Sequence, residues 1–118
     1  MEHIKYAGTH IIADFWHGRN IANPEELKKI LVQAAEESGN TPLEVSIHSF
    51  FPRGITGVVL LAESHIAVHT WPEIGYTAID IFTCGESANA AKALAFLRKE
   101  LHPQRVAAKA LKRGKMES

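Results

Sequence analysis

A single cysteine, Cys84, in 118 residues leaves no partner for an internal disulfide and points to a reducing compartment. An excess of one charge is also missing. Thirteen Lys and Arg balance 13 Asp and Glu, so nothing in the composition draws the chain to nucleic acid or to a membrane surface. No apolar run is long enough to span a bilayer, and Met1-Glu2-His3-Ile4-Lys5 lacks the apolar core of a signal peptide. These absences imply a cytoplasmic protein. Repeats, linkers and low-complexity segments are lacking too, and the length suits one domain, residues 1–118, with one core.

What is present is concentrated in one stretch, Ala62-Glu63-Ser64-His65-Ile66-Ala67-Val68-His69-Thr70-Trp71-Pro72-Glu73. It holds a hydroxyl, two imidazoles, two carboxylates and an indole. Ile66, Val68 and Thr70 are β-branched and polarity roughly alternates, so His65 to Trp71 reads as a strand that Pro72 ends. On a helix, His65 and His69 would share a face and could hold a metal. On a strand, four residues at ~3.3 Å each place them ~13 Å apart, too far for one ion. No metal is expected.

Thr9 to Trp16 is the first expected strand, broken by His17-Gly18-Arg19-Asn20. Asn23 then looks like a helix N-cap, with Pro24 at the first helical position and Glu25 and Glu26 in the first turn. Leu27, Ile30, Leu31 and Ala34 recur at helical spacing, and Gly39 is the stop. Leu43 to Phe51 alternates with period two: Leu43, Val45, Ile47 and Phe51 point one way, Glu44, Ser46, His48 and Phe50 the other. Pro52-Arg53-Gly54 is a turn, and Ile55 to Ala62 a strand covered on both faces. Tyr76 to Cys84 is a further strand, ended by Gly85. Ser87 caps a second helix with the stripe Ala90, Leu94, Leu97 and Leu101. Gln104 to Leu111 reads as a last edge strand, and Lys112 to Ser118 as a loose polar tail.

Short links between the middle strands mean hairpins. The expected fold is therefore α/β of the α+β two-layer kind, an antiparallel sheet with both helices on one face. The other face carries Phe and Trp as well as His, too aromatic for solvent, and a second copy of the chain is its expected cover. The turn Pro72-Glu73-Ile74-Gly75 joins Trp71 to Tyr76, and counting outward sets Ser64 roughly opposite Cys84, at ~5 Å. His69 lies ~16 Å along the strand from Ser64, so it would act on Ser64 most simply from a partner chain.

Four segments carry a resemblance: Phe50-Phe51-Pro52-Arg53-Gly54-Ile55-Thr56-Gly57, Ala62-Glu63-Ser64-His65, His69-Thr70-Trp71-Pro72-Glu73 and Asp80-Ile81-Phe82-Thr83-Cys84-Gly85. At this spacing they closely resemble prokaryotic S-adenosylmethionine decarboxylase, a family of pyruvoyl enzymes made as proenzymes. The likeness spans most of residues 9 to 110. It implies a two-layer subunit that pairs sheet to sheet into a homodimer with shared sites.

The resemblance also implies self-cleavage between Glu63 and Ser64, giving a short chain 1–63 and a pyruvoyl chain 64–118. The Ser64 hydroxyl would attack the Glu63 carbonyl, and elimination from the resulting ester would leave the pyruvoyl group. His69 is implied as processing base and Thr56 as its hydroxyl partner. Many members carry serine at that place, and threonine keeps the hydroxyl while restricting its rotamer. The pyruvoyl group would form a Schiff base with the substrate amine and act as electron sink, with Cys84 returning the proton. Phe50 is implied as the ring that stacks on adenine and Glu73 as the carboxylate that accepts from the ribose hydroxyls. The implied product is the aminopropyl donor for spermidine and related polyamines.

Each residue also has an ordinary reading. A lone cysteine is usually a small buried hydrophobe. Ser64 fits a turn, His69 a satisfied strand, Phe50 a core and Glu73 a solvated corner. His65 and His48 receive no role. Arginine or ornithine decarboxylases on a related scaffold, and a non-catalytic dimeric small-ligand sensor, are the competing readings.

Overall fold

A computed structural model describes residues 6–84 and 87–116. Strand β1 (Tyr6–Trp16) leads into helix α1 (Pro24–Glu37), then into β2 (Glu44–Ser49), β3 (Ile55–Leu61) and β4 (Ser64–Trp71). A short 3-10 turn at Pro72–Ile74 precedes β5 (Tyr76–Cys84), helix α2 (Ser87–Leu101) and β6 (Arg105–Lys115). All six strands join one antiparallel sheet in the order β2-β3-β4-β5-β1-β6.

Local chemistry explains the elements. Asn23 Oδ1 accepts from the backbone N–H groups of Glu25 at 2.8 Å and Glu26 at 3.4 Å, and so caps two orphan donors of α1. Gly39, at φ 79°, takes the left-handed turn just past the helix end. Leu27, Leu31, Ala34 and Ala35 on α1 and Ala90, Ala93 and Leu97 on α2 are fully buried against the sheet. Each fully buried leucine contributes about 1.5–3 kcal/mol. The sheet answers with alternate residues: Ile11, Ala13 and Phe15, Val59 and Leu61, Ile66 and Val68, Ile79 and Ile81. Both helices cover one face, the two-layer arrangement expected from the pattern.

Several boundaries differ from the expectation. Strand β2 is shorter than Leu43 to Phe51, because the Phe50 N–H donates to the Gly54 carbonyl and turns the chain, with a cis Phe51–Pro52 bond in the loop. Leu43 and Phe51, expected to face inward, are 64% and 99% exposed. Strand β1 begins at Tyr6 rather than Thr9. The supposed tail from Lys112 continues β6 to Lys115, because a long β1 offers its edge: Tyr6 pairs with Lys115 and Gly8 with Arg113. Backbone pairing at a sheet edge is indifferent to polar side chains. The stop assigned to Gly85 and the side-chain cap assigned to Ser87 lie outside the described residues.

The second face is open. Ile12, Leu60 and Trp71 stand on it at 42%, 44% and 42% exposure, an apolar spread larger than scattered surface residues would give. One row crosses four strands as a stack: Arg105 lies 5.2 Å over Trp16, Trp16 stacks on Tyr76 at 4.7 Å, and Tyr76 on Trp71 at 5.2 Å. The Tyr76 hydroxyl donates to Asp14 Oδ1 at 2.6 Å. Partial burial first, then that hydrogen bond and the charges of Asp14 and Asp80, push the Tyr76 phenol up to about 12. Its neutral form is the one the fold favours. That stability is therefore complete below the ordinary tyrosine value of 10 and is lost as pH rises toward 12. Ultraviolet titration of the wild type against Tyr76→Phe should assign a phenolate transition near pH 12 to this residue. A transition unchanged by the substitution would refute the assignment.

Candidate active site

The open face carries the site residues in two groups at opposite ends of β4. The first is the β3–β4 hairpin and the end of β5. Leu61 pairs with Ser64, leaving Ala62 and Glu63 as a two-residue turn. Glu63 sits at φ 62°, a left-handed conformation that costs a non-glycine residue roughly 1–2 kcal/mol. Ser64 Oγ accepts the Cys84 backbone N–H at 3.1 Å and lies 3.7 Å from Cys84 Sγ. The Cys84 thiol donates to the Glu63 carbonyl oxygen at 2.9 Å. A strained peptide carbonyl thus has a thiol donor on its oxygen and a fixed hydroxyl on the next residue. That geometry polarises the carbonyl toward attack by an oxygen nucleophile.

Register explains the contact and corrects one detail. His65 pairs with Phe82, so the ladder continued backward sets Ser64 against Thr83 rather than Cys84. Ser64 reaches Cys84 diagonally, through a hydroxyl bonded to the next backbone N–H.

The second group lies where β4 ends. Thr56 pairs with His69, and Thr56 Oγ1 stands 3.0 Å from His69 Nδ1. A cavity of about 590 Å³ opens beside them, lined by Phe50, Arg53, Thr56, His69, Trp71 and Glu73 among others. Two aromatic rings, Phe50 and Trp71, set among charged, imidazole and hydroxyl side chains suit a flat polar ligand. Within one chain, His69 does not approach Ser64. Five strand residues, ~16 Å, separate them.

A family model described as S-adenosylmethionine decarboxylase matches residues 9–114. The chain belongs to the S-adenosylmethionine decarboxylase family. It is 43% identical over 116 residues to a protein of Thermosipho melanesiensis named S-adenosylmethionine decarboxylase proenzyme, with 97% of this chain and 89% of that one covered. A Methanococcus maripaludis protein of the same name is 41% identical over 116 residues, covering 97% and 95%. The crystal structure of the adenosylmethionine decarboxylase from Aquifex aeolicus superposes with a TM-score of 0.90 at 35% identity, over 98% of this chain and 97% of that one.

For an S-adenosylmethionine decarboxylase chain, sequence reading passed over several lining residues. Trp71 and Arg53 line the cavity without having been given a role. Trp71 was legible, since it lies two residues beyond His69 and strand alternation sends both to one face. Arg53 was hidden in what read as a turn. Among the described residues no group of three or more His, Cys, Asp or Glu side chains is arranged to hold a metal ion. No helix among them is long and apolar enough to cross a membrane.

Proposed function

We propose that this chain is a proenzyme that cuts itself between Glu63 and Ser64, then works as a homodimer that decarboxylates S-adenosylmethionine. The observation that carries the reading is the Glu63–Ser64–Cys84 cluster, a peptide whose first residue is left-handed, whose carbonyl oxygen accepts a thiol hydrogen and whose next residue carries a held hydroxyl. Ser64 Oγ adds to the Glu63 carbonyl carbon, an ester forms and the amide C–N bond breaks, freeing the Ser64 amine. Loss of the Ser64 α-proton then expels the Glu63 carboxylate. Water replaces the nitrogen of the dehydrated residue, releasing ammonia and leaving a pyruvoyl group at the new terminus. The residues present fit such a group, because Cys84 N–H and Sγ both contact Ser64 Oγ, two bonds from the α-carbon that would become its ketone carbon.

When present, a pyruvoyl group supplies an electron sink for the carbon that loses carbon dioxide. The chain's own residues do the rest. Cys84, whose thiol donates to the Glu63 carbonyl oxygen in the uncut chain, holds a proton beside the reacting carbon and returns it. Phe50 stacks on the adenine, where ring contacts contribute ~1–3 kcal/mol per base. Glu73 accepts from the ribose hydroxyls and suits the sulfonium charge. Thr56 orients His69, which serves as base in processing. Since these residues lie an end away from Ser64, the reading has the open faces of two chains packed together, with one chain's cavity over the partner's hairpin. The exposed Ile12, Leu60 and Trp71 favour that packing.

The family match and the cavity beside Phe50, Trp71 and Glu73 favour the nucleoside substrate over arginine or ornithine. The product would be the aminopropyl donor for spermidine synthesis. Carbon dioxide release from carboxyl-labelled S-adenosylmethionine, arginine and ornithine decides among them. Release from S-adenosylmethionine alone is expected. Faster release from either amino acid overturns the substrate, and an intact chain that releases none favours a ligand sensor.

A further inference from the structure

A second hollow on the open face, of about 400 Å³, adjoins the hairpin end and is lined by Ala7, His10, His65, Phe82, Arg113 and Gly114. Strand register places it. Arg113 pairs with Gly8 on β1, and Gly8 pairs with Cys84 on β5, so guanidinium and thiol are rooted in one row two strands apart. Two strand spacings are roughly 10 Å. Residue 8 between them has no side chain, and the Phe82 ring occupies that space instead. A Cβ there would lie 2.5 Å from the Thr83 carbonyl oxygen and 3.2 Å from Cζ of Phe82.

The guanidinium is held. Arg113 Nη1 lies 3.0 Å from His10 Nδ1, and His10 Nε2 lies 3.1 Å from Asp80 Oδ1. Guanidinium only donates, so Nδ1 accepts, and Nε2 carries the hydrogen given to Asp80. Asp80 thereby fixes the tautomer that receives Arg113. The bond to His10 engages one of five N–H donors on the arginine fork.

We propose that Arg113 binds the α-carboxylate of the substrate, with His10 and Asp80 as positioning residues that set the tilt of its guanidinium. The proposal rests on reading Ser64 as the reactive end and S-adenosylmethionine as the substrate. Charge runs the right way along that molecule. Its carboxylate belongs to the amino-acid end that must reach Ser64, while Glu73 serves the sulfonium and ribose at the other end. Phe82, Ala7 and Gly114 supply apolar walls, which strengthen a charge-assisted contact. The carboxylate leaves as neutral carbon dioxide, so the contact disappears in the product. A contact held equally in the bound substrate and the transition state, and absent only from the product, acts on KM and not on kcat.

The test uses the full-length, self-cleaved protein carrying Arg113→Gln. The KM for S-adenosylmethionine should rise about tenfold to a hundredfold, the scale of one charged hydrogen bond. Meanwhile kcat should stay within about twofold, and inhibition by the decarboxylated product should be unchanged. His10→Ala should give a smaller rise of the same kind. Arg113→Lys, which keeps the charge without the fork, should fall between. Substrate and product weakened alike, or an unchanged KM, would overturn the anchor. Mass spectrometry of the same samples reports cleavage and hence folding. Should Arg113→Gln remain uncut, Arg113→Lys decides by the same comparison of substrate with product. Failure of the underlying reading shows differently, as wild-type protein that stays whole or releases no carbon dioxide.

Discussion

Ser64→Ala is expected to leave one chain of 118 residues with no decarboxylase activity, and the wild type is expected to yield fragments 1–63 and 64–118. The expectation follows from atoms rather than from homology alone. Alanine removes the Oγ that accepts the Cys84 N–H, so no hydroxyl remains on the residue after Glu63 to form the ester. The substitution costs little structure, since Ser64 is only half-buried at the start of β4. Loss should therefore be chemical and not conformational: an unchanged fold, a single mass, and activity at background. Enzymes accelerate their reactions by roughly 10⁶-fold or more, and all of that acceleration is at stake here. In the wild type, the fragment beginning at residue 64 should resist amine-directed sequencing and react with carbonyl reagents. An alanine variant that is still cut at the same bond, or that keeps activity, would remove Ser64 from the mechanism.

Mixing two crippled chains should restore activity that neither has alone. Cys84→Ala disables the hairpin end, and Phe50→Ala with Glu73→Ala disables the cavity end. In a heterodimer with shared sites, one site gathers both defects and the other gathers none. Random pairing makes half the dimers mixed, each with one good site of two, so recovery should approach about a quarter of wild-type activity. The result holds even if Cys84→Ala blocks cleavage of its own chain, because that chain contributes only Phe50, Thr56, His69 and Glu73 to the working site. A site assembled within one chain predicts no recovery at all. Thr56, His69 and Trp71 gather at one end of β4 and Ser64 and Cys84 at the other, so the two outcomes are cleanly separated.

How much of this was legible depended on whether the deciding partners were local. Helix α1 was fully readable, because Asn23, Pro24, Glu25 and Glu26 carry their cap and dipole signals within four residues. The two-layer arrangement was readable because alternation in β1, β4 and β5 names the buried face. The end of β6 was not: Lys112, Arg113 and Gly114 look like a solvated tail until β1 presents its edge. Phe51 matched the strand period and nonetheless lies in a loop, since period two says nothing about where a turn hydrogen bond intervenes. The Arg113–His10–Asp80 chain joins residues 103 and 70 positions apart, and no local pattern signals it. The family resemblance named Ser64, Cys84, His69 and Thr56, and register decided which of them touch.

Strand order decides what would become of the molecule after the proposed scission. A cut at residue 63 assigns β1, β2 and β3 to one piece and β4, β5 and β6 to the other, yet β1 lies between β5 and β6 in the sheet. The pieces are interleaved like the fingers of clasped hands. Neither could drift off without tearing three ladders, β3–β4, β1–β5 and β1–β6, and the shared core, so the severed protein would persist as a permanent two-chain body whose fragments part only on denaturation.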